Sequence, residues 1–232
     1  MKNNLLVIIA LVFFYTGSSQ NNNSEAIRVE KEVLNSARNI GDPAVAVNSL
    51  FRLIALEGAN STYKDTLAYI YFTARKYGPA FMMTTEVLKR DPNNIEMLEM
   101  GAISLDALGA FDKAAEVYTT LLEKSNSNFY AYTLSNIYFK MKKYEEAYPV
   151  IKDAETYNDE GKYKVTFSIN QNHTQQVELI AAIPYLKGLI EIQLEKNEEA
   201  KLSFAKAVKI QPDFVLAQEN LEAIEKFNTT KE

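Results

Sequence analysis

The fold is decided by the stretch Ala110–Tyr118, which reads AFDKAAEVY, because its pattern returns at a fixed interval along the chain. The clearest counterparts are Lys76–Phe81 (KYGPAF) and Lys143–Tyr148 (KYEEAY). The turn aromatics of the three stretches lie 34 and 33 residues apart, and an alanine follows each of them three positions later. An aromatic residue at a turn can pack between two helices, and a small residue lets those helices approach closely. This period is typical of a repeat protein whose unit is a pair of helices.

Several copies of this pattern resemble the tetratricopeptide repeat, a helix pair of about 34 residues. The last copy is the most specific, since Ala200, Phe204, Ala207 and Pro212 stand at the spacing Ala-x3-Phe-x2-Ala-x4-Pro. The first copy is degenerate but stays in phase with the others. The resemblance covers nearly all of residues 25–228 and implies an all-α fold, a right-handed α-solenoid of about five helix pairs with a terminal capping helix.

The phase of the repeats predicts the organisation of the whole chain. We expect a signal peptide over 1–19, a leader over 20–26, repeats at 27–60, 61–94, 95–127, 128–160 and 181–214, a β-hairpin insertion over 161–180, and a capping helix over 215–228.

Four residues depart from the repeat pattern. Gly101 stands where the third repeat should have leucine, and Asn197 replaces the turn aromatic of the fifth. Pro184 lies near the start of the first helix of the fifth repeat. Pro149, early in a second helix, should bend that helix or lie in its first turn.

The insertion near 160–179 changes from helical to alternating periodicity. Val165, Phe167 and Ile169 point one way, and the chain turns at Asn170–His173 before alternation resumes, which predicts a β-hairpin. An isolated two-stranded hairpin is marginal in water, so it must pack on the helices or receive a partner. Two readings follow: a docking element that contacts a partner through Val165, Phe167 and Ile169 and accepts a strand at its edge, or a tolerated insertion that folds against its own neighbours.

The N-terminus has the features of a secretory signal peptide. Lys2 precedes the apolar run Leu5–Tyr15, and Gly17 and Ser19 are small residues at the positions that a signal peptidase requires before Gln20. The alternative is a membrane anchor, but the run is about half the roughly 20 residues that a span needs. We therefore expect an exported protein, periplasmic or outer-membrane-associated, with no integral span in the mature chain. In this it resembles bacterial exported tetratricopeptide-repeat proteins.

Composition limits the chemistry. Hydrophobic residues make up 47% of the chain, the net charge is −5, and there is no cysteine and one histidine, His173. The charge argues against binding nucleic acid, which needs a concentrated basic face. No phosphate-binding glycine loop, nucleophile elbow or metal-ligand spacing is present. We predict no enzyme activity, no catalytic residue, no cofactor and no metal.

The resemblance also implies a concave groove lined by the first helix of each pair. Carried over position by position, the partner-binding residues are Asp65, Tyr69, Phe72, Glu99, Met100, Ile103, Asp106, Phe129, Tyr132, Asn136, Phe139 and Lys140. Such a surface is aromatic and mildly acidic, and it favours an apolar or basic peptide. About half of its aromatics are expected to pack between repeats instead. The clamp with which some family members bind acidic C-termini is incomplete, because Lys31 and Asn35 match its opening pair but Thr66, Glu96 and Met100 do not continue it.

The sequence therefore predicts a scaffold or adaptor that binds a protein partner, a peptide segment or an envelope protein, in this groove. One alternative is a permanent structural subunit of an envelope or outer-membrane assembly or secretion complex, with the hairpin as interface. A second is a glycan or peptidoglycan binder that stacks sugars on the groove aromatics, although the absence of tryptophan argues against it.

Overall fold

The computed structural model describes residues 23–157, 161 and 163–229; the predicted signal peptide lies outside these residues. The described part of the chain forms eleven helices and one two-stranded antiparallel sheet. The helices are α1 (23–40), α2 (Pro43–Glu57), α3 (Tyr63–Thr73), α4 (Tyr77–Arg90), α5 (Ile95–Ala107), α6 (Phe111–Ser125), α7 (Asn128–Lys140), α8 (Tyr144–Ala154), α9 (Leu179–Gln193), α10 (Asn197–Ile210) and α11 (Val215–Thr229). The strands are β1 (Lys164–Asn170) and β2 (His173–Glu178). Five helix pairs, a final helix and a hairpin confirm the predicted all-α repeat fold.

The turn inside each helix pair is built in the same way in all five pairs of the described chain. One residue adopts a left-handed conformation, and the next residue donates its N–H to the carbonyl five positions earlier at 2.8–2.9 Å. This combination is the Schellman motif, which ends a helix and satisfies its last carbonyls. Glycine takes the left-handed conformation at no steric cost, but here only two of the five positions are glycine. The five residues are Gly41, Arg75, Gly109, Lys142 and Glu195.

The chain divides into two compact units, residues 1–104 and 105–232. In the first unit, two clusters of buried side chains join the helices. One links α1, α2 and α3, and the other links α3, α4 and α5. Their central members are Leu34, Leu50, Leu53 and Leu67 in one cluster and Ala68, Val87, Met97 and Met100 in the other.

The second unit is held by one larger cluster that joins α7 to α11 and the hairpin. Phe204 of α10 and Phe214, just before α11, are fully buried in it, and the final helix adds Ala217 and Ile224. No helix among the described residues combines the length and hydropathy that a membrane span requires.

Close helix contacts explain two glycines within helices. A Cβ on Gly101 would lie 3.2 Å from Oγ1 of Thr84, a fully buried residue on α4. A Cβ on Gly188 of α9 would lie only 2.6 Å from the ring of Phe204 on α10. At both positions a larger side chain would push two helices apart, which accounts for the departure from leucine at Gly101.

The two prolines lie inside helices rather than in first turns. Pro149 is the sixth residue of α8, and Pro184 is the sixth residue of α9. Each proline removes the N–H that would bond the carbonyl four residues earlier. One of the two predicted placements of Pro149, the first turn, is therefore wrong.

The hairpin packs with one face on its own helices. Val165 lies opposite Val177 and Phe167 opposite Gln175. The Phe167 ring meets Tyr185 of α9 edge-on at 5.3 Å and Phe214 at 5.1 Å between ring centroids. The strand β2 then continues directly into α9.

Two glutamine side chains fasten the outer edge of β2 to the segment between α10 and α11. Gln211 accepts a hydrogen bond from the Glu178 N–H at 3.0 Å. Gln175 donates to the Asp213 carbonyl and accepts from the Val215 N–H at 3.1 Å. The Gln211 amide also donates to the Gln176 carbonyl at 3.4 Å, so it occupies part of the outer edge of β2.

Candidate partner-binding surface

The predicted groove residues on α3 differ in accessibility. Tyr69 is 56% exposed. Phe72 is half-buried, with its ring edge-on to Tyr77 at 6.2 Å. Asp65 is bound by Arg90, whose guanidinium donates to both carboxylate oxygens at 2.9 and 2.8 Å. Tyr69 is therefore the α3 residue that a partner can reach most easily.

On α5 the structure corrects one prediction. Met100 is buried in the core cluster of α3, α4 and α5, so it is not available to a partner. Ile103 is exposed and Glu99 is partly exposed. The repeat phase placed Met100 at a surface position, but Ala68 and Val87 enclose it within the first unit.

On α7 a second prediction is wrong. Tyr132 is buried in the large cluster of the second unit. Its burial, and to a smaller extent the electrostatic effect of the neighbouring Tyr185, raises the pKa of its phenol. Phe129 is half-buried and stacks on Tyr163 at 4.2 Å. Phe139 is half-buried and contacts the ring of Tyr144 at 5.6 Å.

Asn136 of α7 keeps an available side chain. It is half-buried, and its amide forms no hydrogen bond with any other described residue. An accessible amide offers two donors and an acceptor, the groups that a peptide backbone needs. Among the predicted residues of the second unit, Asn136 therefore has the chemistry best suited to a peptide.

The aspartates of the predicted groove do not carry free negative charge. Asp65 is neutralised by Arg90, which holds both of its oxygens. Asp106 is bound by Lys140 at 2.8 and 3.0 Å, and the same ammonium lies 5.6 Å from the ring centroid of Phe111. The mildly acidic surface expected from the sequence is therefore wrong for these two positions, because each carboxylate is paired within its own unit.

The predicted hairpin contacts face the helices. Val165, Phe167 and Ile169 are all partly buried, while the residues between them are exposed. Val165 and Phe167 pack against the core of the second unit. His173 is exposed at the turn, where its Nδ1 lies 3.1 Å from Oδ1 of Asn170.

A cavity of about 420 Å³ in the first unit escaped the sequence reasoning. It opens between α1, α2 and α3. Leu34 and Leu50 are buried at its base, and Ile70 adds further apolar surface. Four polar side chains also line it: Arg38, Tyr63, Thr66 and Tyr69.

The signal for this cavity was present but weak. Leu34 and Arg38 lie one helical turn apart on α1, as Thr66 and Ile70 do on α3. Because the first repeat is degenerate, its groove positions are not recognisable from the repeat pattern.

A polar cluster in the second unit was also not predicted. Glu191 is 1% exposed and accepts hydrogen bonds from Ser203 at 2.6 Å and from Tyr148 at 3.3 Å. Burial raises the pKa of its carboxyl group. Nearby, the Glu155 carboxylate pairs with Lys187 of α9 at 3.0 Å and with Lys206 of α10 at 2.8 Å.

These carboxylates are engaged by hydroxyl groups and ammonium groups of the same unit. No group of three or more His, Asp or Glu side chains in the described residues is arranged to hold a metal ion.

Comparison with known proteins agrees with this architecture. The family model of the tetratricopeptide repeat matches residues 130–161 and 183–214. The match identifies these two segments as tetratricopeptide repeats. No curated protein matches the sequence.

Solved structures with the same fold share little sequence with this chain. YrrB, described as a TPR protein with an unusual peptide-binding site, is 18% identical over 88% of this chain and 96% of its own, with a TM-score of 0.63. A tetratricopeptide repeat protein from Parabacteroides merdae is 19% identical over 86% and 72%, with a TM-score of 0.61. MamA from Desulfovibrio magneticus is 19% identical over 72% and 84%, with a TM-score of 0.57. At this identity the likeness concerns the fold.

Proposed function

We propose that this protein is an exported scaffold that binds a protein partner through the exposed faces of its first helices and catalyses no reaction. The observation that carries the proposal is the cavity of the first unit, where Arg38, Tyr63, Thr66 and Tyr69 have side-chain polar groups without a hydrogen bond to any other described residue. Accessible polar groups around an apolar base are the features of a recognition site. YrrB, which shares the fold, is described as having a peptide-binding site, and this supports the same role here.

The proposal of no catalysis rests on how the titratable groups are used. Glu191, the most deeply buried carboxylate of the described residues, accepts hydrogen bonds from two hydroxyl groups. Asp65 and Asp106 are each neutralised by a cation of their own unit. Each of these carboxylates is thus engaged by a hydrogen bond or an ion pair within its own unit, which argues against a role as catalytic acid or base.

Export is proposed from residues 1–19 alone. N-terminal sequencing of the protein purified from its native cells is the direct test. A chain that begins at Gln20 supports cleavage and export, whereas a chain that begins at Met1 or Lys2 refutes the cleavage.

The alternative of a permanent assembly subunit relied on the hairpin as its interface. Because Phe167 packs against Tyr185 and Phe214, and Gln211 occupies part of the edge of β2, the hairpin offers a partner less than the first helices do. We therefore place the partner on the first helices.

The test of the scaffold proposal is crosslinking and affinity capture of the tagged protein from intact native cells, with partners identified by mass spectrometry. Tyr69→Ala and Asn136→Ala, in separate units, each remove one accessible first-helix side chain. Met82→Ala is the matched control, since Met82 is 64% exposed on the second helix α4.

A partner that is recovered with the native chain and the control but reduced with Tyr69→Ala or Asn136→Ala supports the proposal. A partner recovered equally with all three variants would refute the first-helix surface. A stoichiometric set of membrane proteins, unaffected by the variants, would favour the assembly subunit.

A further inference from the structure

The cavity of the first unit has a chemistry that defines its partner more closely than the fold does, and the inference here rests on the proposed scaffold function. We propose that this cavity binds a peptide segment in which an apolar side chain lies next to the side-chain carboxylate of an aspartate or glutamate. The apolar side chain enters the cavity, and the carboxylate pairs with Arg38.

The size and base of the cavity suit one apolar side chain. Its volume of about 420 Å³ falls in the range of roughly 300–1,000 Å³ typical of small-ligand sites. Leu34, Ala46 and Leu50, all buried, give the cavity an apolar lining. An apolar group placed there is removed from water, which is favourable.

The charge at the rim is positive. Arg38 is exposed, and its guanidinium has no ion pair or hydrogen bond with another described residue. Lys31 adds a second cation nearby, with Nζ 6.0 Å from the ring centroid of Tyr63, although it also lies 3.8 Å from a carboxylate oxygen of Glu57. No carboxylate lines the cavity itself.

The nearest groove carboxylate does not offset this charge. Asp65 precedes Thr66 on α3, but both of its oxygens accept hydrogen bonds from Arg90. The chain as a whole has a net charge of −5, so an acidic peptide meets repulsion over most of the surface and attraction at Arg38. The surface at this cavity therefore selects an acidic segment, whereas the sequence predicted an apolar or basic one for the groove.

The hydroxyl groups complete the site. Thr66 and Tyr69 are exposed at the rim, and Tyr63 is half-buried. None of the three hydroxyls bonds to another described residue. Each can donate to or accept from a peptide backbone, which favours a peptide over a plain hydrocarbon chain.

The experiment uses the intrinsic fluorescence of a peptide. The protein has no tryptophan, so the emission of a peptide tryptophan reports the peptide alone. Three heptapeptides blocked at both ends, GSEWESG, GSQWQSG and GSKWKSG, are titrated with the purified protein. Entry of the indole into the cavity shifts its emission to the blue.

We expect the glutamate peptide to bind with a blue shift, about fivefold or more tightly than the glutamine peptide, because the Arg38 guanidinium is attracted more strongly to a charged carboxylate than to an uncharged amide. The lysine peptide should show no saturable change. Arg38→Gln should make the glutamate and glutamine peptides equal, and Thr66→Phe should weaken both by filling the mouth of the cavity. Lys113→Gln is the matched control: Lys113 is exposed on α6, outside the first unit, and its loss changes the net charge equally.

Equal binding of the glutamate and lysine peptides, or an acid preference that survives Arg38→Gln, would overturn the inference. Tighter binding of the lysine peptide would overturn it too, but would leave the scaffold proposal intact. The absence of all peptide binding would also overturn the inference, and the scaffold proposal would stand if the native partner were still lost with Tyr69→Ala. Saturation by sodium laurate without any bound peptide would assign the cavity to a lipid chain and refute a peptide occupant.

Discussion

Gly188→Ala tests whether close packing of α9 on α10 holds the last helix pair. The added methyl carbon would lie 2.6, 2.8 and 2.9 Å from three atoms of the Phe204 ring. Nonbonded carbons prefer about 3.5–4.0 Å, so the ring must retreat by roughly 1 Å. It has little room, because Phe204 is 1% exposed and its ring lies 5.9 Å from that of Tyr185.

Two opposing effects set the magnitude of the change. Overpacking a core typically costs about 1–3 kcal/mol. Replacing glycine by alanine inside a helix returns up to about 1 kcal/mol. We therefore expect Gly188→Ala to lower the free energy of unfolding by up to about 2 kcal/mol, measured by urea denaturation followed by circular dichroism.

Gly78→Ala is the matched control, since Gly78 is also helical and a Cβ there meets no atom within 4 Å. It should be neutral or stabilising. Phe204→Leu, which shortens the opposing side chain, should relieve the clash, so the double variant should lose less stability than the two single losses together. If Gly188→Ala proved as stable as Gly78→Ala, or showed no coupling to Phe204→Leu, the packing argument would be refuted.

Three further predictions concern buried and paired side chains. Burial raises the pKa of the Glu191 carboxyl group, so the stability that its protonated form contributes is lost as the pH rises from 4.5 through the folded pKa. Glu191→Gln should therefore lose less stability than the native chain between pH 4.5 and pH 7, as measured by urea titrations at each pH. An unchanged pH profile would contradict this prediction. Phe167→Ala should destabilise the chain by about 2–3 kcal/mol, because the ring packs between two aromatics, while the exposed Ser168→Ala serves as control. A double-mutant cycle of Asp65→Asn and Arg90→Gln should give a coupling of about 0.5–1 kcal/mol, modest because both side chains are about a third exposed; zero coupling would show that the bidentate pair adds nothing to stability.

Much of the fold could be predicted because the same pattern of packing residues recurs several times along the sequence. The aromatic and alanine of AFDKAAEVY mark where the second helix begins, and the α6 helix starts at Phe111. The hairpin could also be predicted, because the period-two alternation of Val165, Phe167 and Ile169 is typical of a strand and not of a helix. The repeated left-handed turn could not be predicted, because glycine usually takes this conformation and three of the positions are Arg75, Lys142 and Glu195.

The candidate site was harder to predict, because accessibility depends on contacts between helices that the repeat phase does not encode. Met100 and Tyr132 stand at groove positions but are buried by neighbours in their own units. The charge of Asp65 was misjudged for a related reason, since Arg90 lies 25 residues away in sequence. Ion pairs at such separations are set by the fold and leave no local pattern.

The hairpin shows how an insertion can enter a repeat array without breaking it. Helices α8 and α9, which flank the hairpin in sequence, still pack on one another, so the inserted residues do not separate these two helices. The hairpin places Phe167 against Tyr185 of α9 and against Phe214, the residue just before α11. A two-stranded hairpin is marginal alone, and here the missing stabilisation comes from this aromatic contact and from Gln211 at its edge. The hairpin therefore depends on the last repeat for its order, and its inner face is part of the core of the second unit.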